Sequence, residues 1–165
     1  MRTQRLSLDE LQVDDAAELF AATDSPEVGE FIGGAYSASV DALGDRIARM
    51  RAGSGRDDEL WLNYSVRVTD TGDLIGHLQA SVHPEWAEVA WVFGRPWWGC
   101  GYATEAVTWL IESLPSVELW ATVDPGNARS LRLLARLGFT ATTVPPARDV
   151  QSFDDGDRVF VRMPV

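Results

Sequence analysis

The sequence predicts a mixed α+β fold, in which an antiparallel meander of strands is followed by alternating helices and strands. Three β-rich runs, Trp61–Val68, Leu74–Val82 and Glu85–Phe93, are separated only by short turns, which is typical of antiparallel neighbours. The apolar period then changes from that of a strand to that of a helix. Because 165 residues is the length of about one domain, we expect residues 1–165 to form a single domain.

The segment before the meander is predicted to supply one strand and two helices. The strand lies near Thr3–Leu8, and a helical region begins at Val13, where two acidic residues suit the positive end of the helix dipole. Ser39 is a candidate N-cap for a second helix, which is expected to run to about Met50.

The segment after the meander is predicted to contain two helices and three strands. The first helix carries a continuous apolar stripe and ends at Pro115. A buried strand at Val117–Val123 and a helix after Asn127 follow, and the strands Phe139–Val144 and Arg158–Met163 complete the chain. The stripe consists of Ala103, Ala106, Val107, Leu110, Ile111 and Leu114.

The composition excludes several classes of protein. Asp and Glu number 25 against 14 Lys and Arg, and the net charge of −11 would repel a phosphate backbone, so no nucleic-acid partner is expected. All the basic residues are arginine, which excludes a Schiff-base lysine and the P-loop lysine. One cysteine, Cys100, and two histidines leave no disulfide framework and little material for a metal centre, so no metal is expected.

The first residues and the apolar runs bear on localisation. The Met1–Arg5 start is not followed by the apolar segment that a secretory signal needs, and no apolar run has the length of a membrane span. We therefore expect a cytoplasmic protein without a membrane partner.

Two glycines one residue apart, Gly99 and Gly101, stand between a predicted strand and the striped helix. Such a turn allows backbone amides to approach a ligand, and the helix that follows offers unpaired N–H groups, so the segment suits a pyrophosphate. Three interpretations compete: a glycine-rich packing turn, a dinucleotide-binding loop and an acyl-coenzyme A loop. The dinucleotide fingerprint lacks its third glycine, which Thr104 replaces, and the preceding strands are predicted to be antiparallel.

The surrounding motifs favour the acyl-coenzyme A loop. The string Arg95–Ala106 resembles motif A of the GNAT superfamily of N-acetyltransferases, and within it the branch of the ribosomal-protein N-terminal (Rim-type) enzymes. Glu88–Val92 is similar to the Glu-Ile-Gly-Tyr strand of that branch, and Asn127–Phe139 is similar to its Asn-x-x-Ser helix ending in Leu-Gly-Phe. No acidic residue lies between Glu88 and Glu105, or between Asp124 and Asp149, which fits a poly-anionic cofactor.

The resemblance implies a GNAT fold, with a central, mostly antiparallel sheet that is splayed between its fourth and fifth strands and flanked by helices. It implies acetyl-CoA as the acyl donor. The glycine loop would hold the pyrophosphate, Trp91, Val92 and Phe93 would pair with the pantetheine arm, and Asn127 and Ser130 would contact the cofactor. The loop residues in this prediction are Trp98, Gly99, Cys100, Gly101, Tyr102, Ala103 and Thr104.

Two residues are candidates for proton transfer. Glu88 is the candidate general base, taking a proton from the acceptor amine through water, and the alternative is a solvent-facing strand glutamate. Ser130 is the candidate donor to the departing sulfur, and the alternative is a hydroxyl on a helix surface. The tyrosine that many superfamily members use for that step falls on Leu134, which has no proton to give.

The predicted activity is transfer of an acetyl group to a primary amine by direct attack in a ternary complex. A protein or peptide N-terminal amine is the favoured acceptor, and a small-molecule amine such as an antibiotic or a polyamine is the alternative. A non-catalytic acyl-CoA sensor is a second alternative, from a different class. A homodimer is expected only by analogy with the family.

Overall fold

The computed structural model describes residues 1–142, 152 and 155–164, and its strands form one seven-stranded sheet. In chain order the strands are β1 (Leu6–Glu10), β2 (Leu60–Val68), β3 (Leu74–Val82), β4 (Trp86–Phe93), β5 (Glu118–Val123), β6 (Thr140–Thr142) and β7 (Arg158–Arg162). They lie in the order β1-β2-β3-β4-β5-β7-β6, and neighbouring strands are antiparallel except for β4 and β5. The predicted mixed α+β fold is confirmed.

Five α-helices accompany the sheet in the described part of the chain: α1 (Ala16–Thr23), α2 (Pro26–Gly29), α3 (Val40–Ala52), α4 (Tyr102–Ser113) and α5 (Ala128–Arg136). The Ser39 side chain caps α3 by accepting from the Ala42 N–H, as predicted. The short helix α2 was not predicted, although Ser25 caps it and Pro26 opens it. Within the described residues, no helix has both the length and the apolar content that crossing a membrane requires.

The first strand is displaced from its predicted position at Thr3–Leu8, which is a correction. The Thr3 N–H donates to the Leu6 carbonyl, and Arg2 forms a bridge with Ser7, so residues before Leu6 fold back as a tight turn. The strand therefore begins at Leu6 and extends to Glu10. Of the predicted strand Phe139–Val144, the last two residues lie outside the described part of the chain.

The parallel strands β4 and β5 pair only at their beginnings. The register joins Trp86 to Glu118, Ala87 to Leu119 and Glu88 to Trp120, and no pair follows among these strands. Beyond Glu88 the two strands therefore separate. This is the splay that the family resemblance implied between the fourth and fifth strands, and it leaves one edge of β4 without a partner strand.

The two faces of the sheet differ in polarity. One face packs against the apolar stripe of α4, where Val107 and Leu110 are fully buried. The other face, covered by α1 and α3, carries buried polar side chains on the central strands. Directly paired residues share a face, and the register pairs Ser65 with His77 and Ser81 with Glu88. The buried polar side chains on this face are Asn63, Ser65, His77, Ser81 and Glu88.

Candidate active site

The glycine loop leads into the N-terminus of α4 through two left-handed residues. Gly99 has φ of +79° and Gly101 has φ of +81°, a region that side chains disfavour, so glycine is needed at both. Glu105 is the first helix residue whose N–H finds an intrahelical acceptor, the Gly101 carbonyl. The N–H groups from Gly99 to Thr104 have no acceptor among the described residues. Together with the helix dipole, they form a site for an anion.

Arginines of α5 face this loop across a cleft of about 300 Å³. The Arg129 guanidinium lies 4.8 Å from the centre of the Trp98 ring, and Arg136 donates to the Thr104 hydroxyl at 3.2 Å. Within the described ranges, no carboxylate pairs with Arg129, Arg132 or Arg136. Three cations with no carboxylate partner among the described residues, in a chain of net charge −11, give this cleft a positive charge that suits a diphosphate.

We call this space the cofactor cleft, and ten of the residues predicted to bind the cofactor line it: Trp91, Val92, Phe93, Trp98, Gly99, Gly101, Ala103, Thr104, Asn127 and Ser130. Cys100 and Tyr102 are not among the described residues that line it. Both residues contact Arg5, which donates to the Cys100 carbonyl at 3.0 Å and lies 4.7 Å from the centre of the Tyr102 ring.

The free edge of β4 directs backbone groups into the cofactor cleft. The N–H and C=O groups of a strand point alternately to its two edges. Because the Gly94 N–H donates to the Ile75 carbonyl of β3, Val92 also turns its backbone toward β3, while Trp91 and Phe93 face the gap. The Phe93 carbonyl already accepts from the Trp98 indole at 2.7 Å. Trp91, beyond the last pair with β5, therefore presents its N–H and C=O to the gap.

A second cleft, of about 560 Å³, adjoins the first, and we call it the acceptor cleft. Trp91, Val92, Asn127 and Ser130 line both clefts, so the two meet beside the free edge of β4. The acceptor cleft differs in charge from its neighbour, since the charged residues that line it in the described part of the chain are Glu30, Arg46, Asp124, Asp155 and Asp157. Asn127 caps α5 by accepting from the Ser130 N–H at 3.1 Å, which fixes Ser130 at the junction.

Glu88 lies beneath the acceptor cleft rather than in its wall. Its side chain is buried, and among the described residues it does not line either cleft. One carboxylate oxygen accepts from the Ser152 N–H at 2.9 Å and from the Ser152 hydroxyl, and Ser152 does line the acceptor cleft. Ser152 therefore connects the carboxylate to the cleft.

Tyr36 and His77, which the sequence analysis did not assign to the site, line the acceptor cleft. The Tyr36 hydroxyl lies 2.9 Å from Nδ1 of His77, across 41 residues of sequence. The only sequence signal was that His77 falls on the same face of its predicted strand as Gln79, a polar alternation that a half-buried strand also produces. His83, the other histidine, stacks on Trp86 at 4.0 Å between ring centres.

An ion pair between Arg5 of the N-terminal segment and Glu105 of α4 stabilises the glycine loop. Glu105, in the first turn of α4, accepts from the Thr3 hydroxyl at 2.6 Å and from the Arg5 side chain at 2.7 Å. Arg5 in turn holds the Cys100 carbonyl. Partial burial raises the pKa of the Glu105 carboxyl, but the hydrogen bonds from Thr3 and Arg5 outweigh this and hold the pKa below its ordinary value of 4.5.

Replacing this carboxylate should loosen the loop. We expect Glu105→Gln to lower the free energy of unfolding by about 1–2 kcal/mol, because hydrogen bonds to a charged but partly exposed group are lost. We also expect the variant to bind CoA more weakly. Since the pKa is depressed in the folded state, the contribution is present above pH 4.5 and is lost as the pH falls below it. Urea unfolding at neutral pH measures the effect. Glu112→Gln, on the exposed side of the same helix, is the matched control, and equal stability of the two variants would contradict the role of Glu105.

Comparison with known proteins identifies the family to which this fold and its two clefts belong. Residues 5–140 match the acetyltransferase (GNAT) domain family. The chain therefore belongs to the GNAT acetyltransferase family. It is an N-acetyltransferase, as the sequence resemblance predicted.

A relative agrees with this assignment, and two solved structures share the fold. The chain is 30% identical over 146 residues to a protein named "Uncharacterized N-acetyltransferase p20" from Bacillus licheniformis, covering 83% of this chain and 80% of the relative. An acetyltransferase structure from Agrobacterium tumefaciens is 25% identical, with a TM-score of 0.71 over 98% of this chain and 92% of the other. A structure named "putative ribosomal-protein-serine acetyltransferase" from Vibrio cholerae is 23% identical, with a TM-score of 0.78 over 99% and 96% of the two chains.

Proposed function

We propose that this N-acetyltransferase binds acetyl-CoA in the cofactor cleft and transfers its acetyl group directly to a primary amine held in the acceptor cleft. The observation that carries the proposal is the junction of the two clefts at Trp91 and Ser130. Acetyl-CoA supplies an acetyl group on a thioester, which a free amine attacks to give an amide and CoA. The residues present fit this donor, because loop residues whose N–H groups have no acceptor in the described part of the chain line the cofactor cleft together with three arginines.

The protein then catalyses the transfer by positioning the two reactants and stabilising the charge that develops, without forming a covalent intermediate. The Trp91 N–H, on the free edge of β4, is the donor best placed to stabilise negative charge on the thioester oxygen. Holding both reactants at the junction of two clefts lowers the entropic cost of their encounter. Ser130, at that junction, donates a proton to the departing sulfur.

Glu88 is proposed as the general base, acting through Ser152. The acceptor amine arrives protonated and must lose a proton before it attacks. The amine passes this proton to the Ser152 hydroxyl, and that hydroxyl passes its own proton to the Glu88 carboxylate, which already accepts its hydrogen bond. Burial of Glu88 beneath the cleft keeps the acceptor of the proton fixed and out of bulk water.

A peptide N-terminal amine is the proposed acceptor. The resemblance of the Arg95–Ala106 string to the Rim-type branch and the name of the Vibrio cholerae structure support it. A small cationic amine such as a polyamine is the second candidate, because four carboxylates and one arginine are the described charged residues of the acceptor cleft.

The experiment measures CoA release from acetyl-CoA in the presence of amines, after calorimetry has established CoA binding. We expect release with short peptides that carry a free N-terminus and none with the same peptides blocked by an acetyl group. Faster release with spermidine than with any peptide would favour the polyamine. CoA binding without release on any amine would overturn the catalytic proposal in favour of an acyl-CoA sensor.

Ser130→Ala tests the proposed donor to sulfur. We expect kcat to fall about tenfold while the dissociation constant of CoA stays unchanged, since a thiolate of ordinary pKa leaves tolerably well unaided. Single-turnover kinetics and CoA titration measure the two quantities. Ser113→Ala, at the C-terminal end of α4, is the control. A wild-type kcat in Ser130→Ala would remove Ser130 from the mechanism.

A further inference from the structure

A chain of hydrogen bonds runs from the interior of the sheet to the wall of the acceptor cleft. Asn63 of β2 lies at its inner end, where its Oδ1 atom is 3.2 Å from Nε2 of His77 on β3. The other ring nitrogen of His77 lies 2.9 Å from the Tyr36 hydroxyl. Asn63 is 7% exposed and His77 is 2% exposed, so water does not compete for the inner bond.

The direction of these hydrogen bonds follows from the donors and acceptors available. The Asn63 Oδ1 atom can only accept, so Nε2 of His77 carries a hydrogen. Burial, helped by the positive charge of Arg46, lowers the pKa of His77 to about 3, and the ring is therefore neutral with Nδ1 unprotonated. Burial raises the pKa of Tyr36, although the Arg46 charge partly offsets it. Tyr36 is thus a phenol that donates its only hydrogen to Nδ1.

This hydrogen bond determines which kind of hydrogen bond the Tyr36 hydroxyl can form with a ligand. A phenol oxygen whose hydrogen is already engaged has only lone pairs left to offer. Arg46 covers the ring, with its guanidinium carbon 4.9 Å from the ring centre, and donates to the Tyr36 carbonyl at 3.2 Å. Arg46 thereby holds the Tyr36 ring in place, and His77 determines where the hydroxyl hydrogen points.

These hydrogen bonds lie close to the proposed site of acetyl transfer. His77 on β3 is paired with Val92 on β4, and Val92 directly follows Trp91. His77 therefore lies one strand away from the free edge of β4. Tyr36, His77, Val92 and Ser130 line one cleft. A lone pair offered into this cleft suits an N–H donor, and the reacting group of the acceptor is one.

We infer that Tyr36 is a specificity-determining residue for the acceptor, whose hydroxyl oxygen accepts a hydrogen bond from the attacking amine because His77 and Asn63 hold its hydrogen turned away from the cleft. This inference rests on the proposed function. Tyr36 binds the amine, while His77 and Asn63 are positioning residues. The arrangement favours a primary amine, which keeps an N–H for Tyr36 while its lone pair faces the thioester, over a tertiary amine or an alcohol.

The kinetic test uses glycinamide, the smallest mimic of a peptide N-terminus. We expect Tyr36→Phe to raise the KM for glycinamide about tenfold, the cost of one hydrogen bond in a cleft, with little change in kcat and none in the KM for acetyl-CoA. His77→Leu should raise the same KM, and His77→Asn, which keeps an acceptor near the hydroxyl, should restore it in part. Tyr64→Phe is the matched control, because Tyr64 packs edge-on against Trp109 on the other face of the sheet.

A second measurement does not depend on turnover. With only two histidines, nitrogen-15 spectra resolve the ring nitrogens of His77. We expect a neutral ring with its hydrogen on Nε2, a shift of the Nδ1 signal in Tyr36→Phe, and a further Nδ1 shift when glycinamide binds the wild type. A protein that transfers acetyl to no amine yet shows these shifts would lose the proposed transfer and keep only the part of the inference that concerns amine binding by Tyr36. Unchanged KM in Tyr36→Phe, or an Nδ1 signal that ignores both glycinamide and the substitution, would overturn the inference.

Discussion

Reversing one charge of the cofactor cleft, in an Arg132→Glu variant, is expected to raise the dissociation constant of CoA about a hundredfold, or ~2.7 kcal/mol. Arg132 lines the cleft between Arg129 and Arg136 on α5 and has no described carboxylate partner. Substituting Glu removes an attraction for the phosphates and adds a repulsion, and each charge pair near a protein surface is worth about 1–4 kcal/mol at 4 Å. Isothermal titration at about 0.1 M salt measures the change.

Arg49→Glu is the matched control for this variant. Arg49 is exposed in the last turn of α3, outside both clefts, and its reversal changes the net charge by the same amount. We expect the control to bind CoA almost as the wild type does, because charges farther apart than the Debye length of about 10 Å are screened. Equal weakening in both variants would show that CoA responds to total charge and not to a site on α5.

The sequence predicted those parts of the fold and site that depend on neighbouring residues. The turn at Gly99 and Gly101 and the N-cap at Ser39 involve residues a few positions apart, so their residue types alone indicate them. The separation of β4 and β5 has no such local signal. It was predicted only because the Arg95–Ala106 string resembles a family whose sheet is splayed.

The contacts that sequence reasoning missed join residues far apart in the chain. Arg5 meets Cys100 across 95 residues, and this contact holds the carbonyl of a predicted cofactor-binding residue that is not among the described residues lining the cofactor cleft. Tyr36 meets His77 because the segment between α2 and α3 crosses the polar face of the sheet, a path that no periodicity encodes. The position of Ser152 against Glu88 is likewise a contact between remote parts of the chain.

Removing the proposed base, in a Glu88→Gln variant, is expected to lower kcat about a hundredfold, the lower end of the range for general acid–base catalysis. Glutamine keeps the shape of the side chain and an oxygen that accepts from Ser152, but it does not take up a proton at neutral pH. CoA affinity and thermal stability should change little, so steady-state kinetics, calorimetry and thermal unfolding together separate a lost base from a misfolded site. Glu85→Gln, exposed in the turn just before β4, is the control.

The pH dependence of the variant tells which group accepts the proton. Without Glu88, the amine must lose its proton in solution, so the rate should climb with pH until the α-amine, of pKa about 7.7–8.0, is free. The wild type should reach its plateau at lower pH, because the Ser152 and Glu88 pair removes the proton inside the cleft. The same profile in both proteins would mean that the proton leaves by another route.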